Sequence, residues 1–249
     1  MNMETLEPGD RTVRGEDKEH LVRNLENVEV RHKPFPAEVL TELHTVFPPH
    51  FVHTFAIKSC PLPALLRFII QNGHGMESAS IAELMLAIRC GCPPDKLMFD
   101  SPAKTSKEIR DALVLGVQLN VDNFDELARV AEALKQLESK GKKSTSTVAL
   151  RFNPMVGSGS IAALSVSTNT SKFALPFNNE VKERIISSFK EHTWIKGLHI
   201  HVGSQGMSLD QLAQGASIAV KLADEIDDRV GRKAVQVQSK SAQNPKPTE

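Results

Sequence analysis

The sequence predicts an α/β fold in which a parallel sheet is covered by helices. Two observations carry this. Short apolar runs alternate with amphipathic segments about six times, most of them about 20–30 residues apart. Helix punctuation also fits, with a capping-box pair at Ser80 and Glu83 and glycine stops at Gly73 and Gly91. With 40% hydrophobic residues in 249, the chain has ample apolar surface for a core. An open doubly wound sheet and a (β/α)8 barrel both fit the alternation, although a barrel needs eight units and the count stops near six.

Taken in order, residues 1–20 are charged and poor in apolar side chains, and are expected to form a flexible N-terminus. Leu21 to Leu43 carries enough periodicity for one or two helices. FVHTFAIK (Phe51–Lys58) reads as a strand and LPALLRFIIQNG (Leu62–Gly73) as a helix stopped by glycine. GMES is a strand, followed by a helix over Ser80–Gly91, where Ser80 and Glu83 have the capping-box spacing and Gly91 the stop position. LMFDS (Leu97–Ser101) precedes a helix over Ser106–Leu115. VQLNVD precedes another that starts near Asn123. TVALRFN (Thr147–Asn153) is a strand, followed by a long loop of small residues to Phe177. A helix over Asn179–His192, a strand over Ile195–Ser204 and a helix over Leu209–Ile226 complete the alternation. The packed unit is therefore expected over residues 21–228. Residues 229–249 are polar, low in complexity and expected to be disordered.

Composition excludes several functions. Thirty Lys and Arg balance thirty Asp and Glu, so no cationic excess is available to neutralise nucleic-acid phosphates. No apolar run approaches the ~20 residues of a membrane span. The polar N-terminus is unlike a secretory signal or a transit peptide. Three cysteines (Cys60, Cys90, Cys92) cannot all pair, and Cys90-x-Cys92 lacks zinc-ligand spacing, so they read as structural thiols. The expected setting is cytoplasmic.

Lys58 ends an otherwise apolar strand, where an ammonium is costly unless paired, neutralised or used. Such a lysine can be a Schiff-base nucleophile, or can simply snorkel to water. Arg151 closes TVALRF in the same way and needs a carboxylate or phosphate partner. Glu77, in GMES, is a candidate for that partner, or for facing a protonated ring nitrogen. His199 and His201 are two apart on one strand and share a face. They could ligate a metal, or one could stack on a planar cofactor; no matching histidine ends another strand, which argues against metal. Ser204 follows Gly203 where a small turn can offer hydroxyl and amide to a phosphate. Gly157-Ser-Gly159 is not a P-loop, and no nucleophile elbow or dinucleotide-binding glycine pattern occurs.

Together, FAIKSCPLPALL, GHGMESASIAEL, FDSPAKTSKEIRDALVLGV, VDNFDELARV, ALRFNP, TSKFALP and GLHIHVGSQ resemble, in order, the barrel domain of the pyridoxal-phosphate-dependent decarboxylases of ornithine, diaminopimelate and arginine. The likeness spans roughly residues 51–227 and is strongest to the diaminopimelate branch. It implies a (β/α)8 TIM-barrel-type fold of the alanine-racemase kind, with pyridoxal 5'-phosphate as cofactor and no metal. It implies further that Lys58 forms the Schiff base, His201 stacks on the cofactor ring, Ser204 holds the phosphate and Arg151 and Glu77 flank the ring. The implied reaction is decarboxylation of a basic or dibasic amino acid, diaminopimelate giving lysine, in lysine biosynthesis.

The chain departs from that pattern at Ser59-Cys60 after the lysine, at Ala174 where the family has glycine, and at Glu77 where aspartate is usual. The family's glycine triplet for the phosphate, its ring-pairing glutamate and the Cys-Asp and Tyr of a C-terminal β-domain have no counterpart here. The barrel is thus expected to be incomplete. The implied partners are a small amino-acid substrate, with a homodimer or a heterodimer with an intact decarboxylase. The alternative is a non-catalytic homologue that binds and modulates such a subunit.

Overall fold

Helix starts follow from single side chains. Ser80, Thr105, Asn123, Asn178 and Ser208 each accept a hydrogen bond from the backbone N–H three residues on, satisfying a donor that the helix cannot. At Thr105 and Ser208 the box is reciprocal, with Glu108 and Gln211 reaching back to the cap amide. Ser80 differs from the expected box: Glu83 turns back to the amide of Ala79 instead.

The computed structural model describes residues 37–47, 49, 51–157, 174–203, 208–231 and 233–235. The expectations for residues 1–36, including the start of the helical segment read over Leu21–Leu43, for 236–249 and for Ser204 lie outside these residues. Helix α1 covers Ala37–Val46. Strand β1 (Thr54–Ala56) then leads through a 3-10 turn, Ile57–Ser59, to α2 (Pro63–Gln71). The alternation continues as β2 (Gly75–Ser78), α3 (Ile81–Arg89), β3 (Leu97–Phe99), α4 (Ser106–Leu115), β4 (Gln118–Val121) and α5 (Phe124–Glu138). After β5 (Val148–Asn153) come a short β6 (Leu175–Pro176), α6 (Asn179–Glu191), β7 (Ile195–Ile200) and α7 (Leu209–Val230).

All pairings are parallel: β1 through β5 lie side by side in chain order, β6 joins the end of β5, and β7 also pairs with β5. Among the described residues β1 and β7 each have a single sheet neighbour, so this sheet does not close on itself. Alternation sorts each strand's side chains. Leu97, Phe99, Leu119, Val121, Leu150 and Phe152 are buried in one core with Leu84, Ile109, Leu113, Leu127 and Val130 of the helices. Each such side chain contributes about 1.5–3 kcal/mol of burial. The intervening residues Glu77, Met98, Asn120, Ala149 and Arg151 therefore share the opposite, inner face. Close strand approach is enforced by Gly75, where a Cβ would stand 2.2 Å from the Lys96 carbonyl oxygen.

Several boundaries differ from the sequence reading, among them the end of the strand expected over Ile195–Ser204, which stops at Ile200, and three have a local cause. The strand expected over Phe51–Lys58 is only Thr54–Ala56, because Cys60 N–H donates to the Ile57 carbonyl and the Ser59 hydroxyl to that of Ala56, closing a turn. The loop before Phe177 contains β6, whose length is too small for a periodicity signal. Helix α7 continues through Val230 to a left-handed Gly231, and Ala234 and Val235 beyond it are buried, both amides donating to Asp227. The packed unit thus runs past Asp228. No helix among the described residues is long and apolar enough to cross a membrane.

Candidate active site

The polar residues of the inner face gather where the strands end. Register explains which ones meet. Ala56 pairs with Glu77, so the turn after β1 carries Lys58 over β2, and Lys58 Nζ lies 3.4 Å from Glu77 Oε1. Val121 pairs with Leu150, so the next residues, Asp122 and Arg151, are level. Arg151 Nη1 stands 3.1 Å from Asp122 Oδ1 and 3.8 Å from Asp100 Oδ1. Arg151 also pairs in register with His199, whose Nδ1 is 3.4 Å from Asp100 Oδ1.

This corrects one expectation. Arg151 meets Asp122 and Asp100, while Glu77 is the partner of Lys58, because β3 and β4 lie between β2 and β5. Lys58 stands in the 3-10 turn past β1, with 48% of its side chain open. His201 follows β7 directly and is partly buried, close enough to Arg151 and Lys58 to feel both charges. The structure therefore brings Lys58, Glu77, Arg151, His199 and His201 to one end of the sheet.

Burial shapes their electrostatics. It raises the Glu77 carboxyl against the pull of Lys58, and raises Asp122 against the Ala174 amide and Arg151. His201 is pushed down, by burial first and then by Arg151 and Lys58. Burial pushes His199 down to about 4, although Asp100 pulls the other way. For Asp100, burial is outweighed by His199, Arg151 and Lys104, and the carboxyl falls below its ordinary value.

Sequence reasoning missed Asp100, Asp122 and Lys104. The two aspartates follow apolar runs, LMFD and LNVD, in the way that Lys58 and Arg151 do, so the same signal could have found them. Lys104 is fully buried, with Nζ 2.7 Å from Glu126 Oε1 and donating to the carbonyls of Ser101 and Asn120. It fastens the ends of β3 and β4 to the start of α5. Among the described residues no set of three His, Cys, Asp or Glu side chains has metal-holding geometry. The thiol of buried Cys92 is pushed up to about 11 by burial, which fits a structural thiol. A cavity of about 700 Å³ runs along β7, lined by Gln118, Ala149, Gly197, Leu198, Ile200 and Val235 among others. It touches none of Lys58, Glu77, Arg151 or His201.

Parallel strands covered by helices, with a polar cluster gathered at the strands' C-terminal ends, define an α/β protein of the barrel-related class, whose functional groups collect at that end. Residues 37–237 match the family model for the pyridoxal-binding domain of pyridoxal-dependent decarboxylases, and the chain belongs to that family. It is 33% identical over 156 residues to diaminopimelate decarboxylase of Zymomonas mobilis, covering 61% of this chain and 35% of that protein. It is 28% identical over 202 residues to the enzyme of Archaeoglobus fulgidus, covering 77% of this chain and 47% of that one. The fold matches diaminopimelate decarboxylase of Helicobacter pylori in complex with L-lysine, with TM-score 0.65, 20% identity, 88% of this chain and 55% of that one. The Methanocaldococcus jannaschii enzyme, also with L-lysine, gives TM-score 0.65, 23% identity, 77% of this chain and 46% of that one. The chain thus spans about half the length, or less, of the relatives it matches.

Pyridoxal phosphate is the family's cofactor. The residues present fit it: an accessible amine at Lys58 and a half-buried imidazole at His201, both at the same end of the sheet.

Proposed function

We propose that this chain is the cofactor-bearing half of a diaminopimelate-type decarboxylase, with Lys58 as the residue that takes the cofactor. The observation that carries the reading is the Lys58–Glu77 pair at the open end of the sheet. An ammonium cannot attack an aldehyde; its nitrogen must first lose a proton. Glu77 Oε1 is 3.4 Å from Nζ and burial has raised its carboxyl, so it can accept that proton and return it. Pyridoxal phosphate, when bound, supplies the electron sink for the charge left when carbon dioxide departs. His201 offers a flat neutral face for a ring. Arg151, held between Asp122 and Asp100, ties the inner wall together and offsets part of its carboxylate charge. Ser204 is assigned to the phosphate by the resemblance alone. The substrate on this reading is diaminopimelate, giving lysine, in the cytoplasm.

The test is titration of the full chain with pyridoxal phosphate, borohydride trapping and peptide mapping. Stoichiometric label on Lys58, lost in Lys58→Ala with secondary structure intact, is the expected result. Label scattered over surface lysines removes the assignment.

A second reading, a non-catalytic homologue that binds an intact decarboxylase subunit, is favoured by the single-neighbour edge of β7 and the cavity beside it. Co-purification with a full-length diaminopimelate decarboxylase tests it, and absence of association at micromolar concentration removes it.

A further inference from the structure

His199 is the imidazole that the proposed function does not use. It stands on the inner face of β7, its side chain largely covered, two residues before His201. Its Nδ1 stands 3.4 Å from Asp100 Oδ1, a close charge contact, and neither atom has a regular hydrogen bond, with each other or with any other described residue. Asp100 is 7% exposed at the end of β3, and its backbone N–H is anchored on the Ser78 carbonyl. The nearer carboxylate contact of Arg151 goes to Asp122, 3.1 Å against 3.8 Å, which leaves Asp100 Oδ1 closer to the imidazole than to the guanidinium.

Charge then settles the hydrogen positions. Arg151 and Lys104 keep Asp100 ionised, and burial keeps His199 neutral at pH 7. A carboxylate has only lone pairs to present, and a neutral imidazole has one N–H and one lone pair. The N–H must be on Nδ1, so the lone pair is on Nε2, reversing the tautomer that free histidine favours in water.

We propose that Asp100 is a positioning residue that locks His199 in the Nδ1–H tautomer, making Nε2 a neutral hydrogen-bond acceptor on the site wall. An acceptor there favours an N–H or O–H neighbour and disfavours a second acceptor. The identity of that ligand rests on the function proposed above; the tautomer does not.

The experiment needs no cofactor. Long-range 1H–15N correlation spectra of the 15N-labelled full chain at neutral pH read the protonation of each ring nitrogen, with His199→Gln assigning the signals. The expected result is a pyrrole-type Nδ1 and a pyridine-type Nε2, the Nδ1–H form leading by about tenfold for one charge-assisted contact. Asp100→Leu should invert the preference, and Asp100→Asn, which keeps an acceptor oxygen, should restore it. A thermal melt checks that Asp100→Leu is folded; if it is not, the wild-type spectrum decides alone. An Nε2–H or doubly protonated ring in the wild type overturns the proposal, as does an unchanged tautomer in folded Asp100→Leu. Because pyridoxal phosphate is absent, failure to label Lys58 leaves this result standing, and the converse holds.

Discussion

The backbone amide of Ala174 donates to Asp122 Oδ2 at 3.2 Å, while the other oxygen of the same carboxylate holds Arg151 at 3.1 Å. One aspartate therefore ties the strand end to the chain entering β6. The geometry has a cost, because Ala174 adopts φ of 61°, the left-handed region that an L side chain resists. Glycine removes the clash of the β-carbon, worth about 1–2 kcal/mol, but adds freedom to the unfolded chain. Ala174→Gly should raise stability by about 0.5–1 kcal/mol, read as a higher urea midpoint at unchanged slope. A lower midpoint would show that the amide of Ala174 does not need this conformation.

Lys104 and Glu126 form an ion pair with both side chains at 0% exposure. Removing one charge leaves the other buried and unpaired, so Glu126→Gln and Lys104→Met should each lose about 3 kcal/mol. The double variant Lys104→Met/Glu126→Leu strands no charge, although the carbonyls of Ser101 and Asn120 lose a donor. It should therefore be less destabilised than either single variant. Additive losses in urea unfolding would contradict this.

Legibility divides along physical lines. Helices α2 to α6 were readable because their apolar spacing, and the caps of α3 to α6, are local, and α4 begins and ends where the sequence places it. Strand existence was also readable wherever an apolar run marks it, though not at the two-residue β6. What eluded the sequence depends on register. Nothing in the order of residues tells that Asp122 rather than Glu77 reaches Arg151; that follows from β4 lying beside β5. The end of β1 was missed because the turn at Ile57–Ser59 is closed by a serine hydroxyl, a contact invisible to periodicity. The Ala174 conformation is the reverse case: a family glycine replaced by alanine already pointed to it, and the positive φ supplies the reason.

His74, just before β2, is 3% exposed, and its ring centroid lies 4.6 Å from that of His44 on α1 and 5.9 Å from that of His53. Burial lowers its pKa below 6.5, helped by His44, His53 and Lys96 and opposed by the Leu40 carbonyl. Since the folded value is the lower one, this stability is complete above 6.5 and is lost as pH falls toward the folded pKa. Leu40 to Val46 should therefore exchange amide hydrogens faster, after intrinsic correction, at about pH 5.5 than at about pH 7.5. His74→Leu should abolish the difference. If the pH dependence survives in that variant, the cluster is not its source.

His199 should dominate acid sensitivity within the site. Its folded pKa of about 4 lies below the ordinary 6.5, so the unfolded chain binds its proton first as pH falls. The contribution is whole above 6.5, declines through the interval, and at pH 4 most of ~3 kcal/mol has gone. Glu77, Asp122 and Glu126 act in the opposite sense, because burial raises their carboxyls and the folded chain takes up their protons first. A single pH–stability curve would therefore mix the two. Subtraction separates them: His199→Gln keeps Glu77, Asp122 and Glu126 and removes the imidazole together with its pull on Asp100. The wild type should lose stability relative to His199→Gln steadily from pH 6.5 to about 4 and stay level with it above. Parallel curves through that interval would mean that His199 is already solvated in the folded chain.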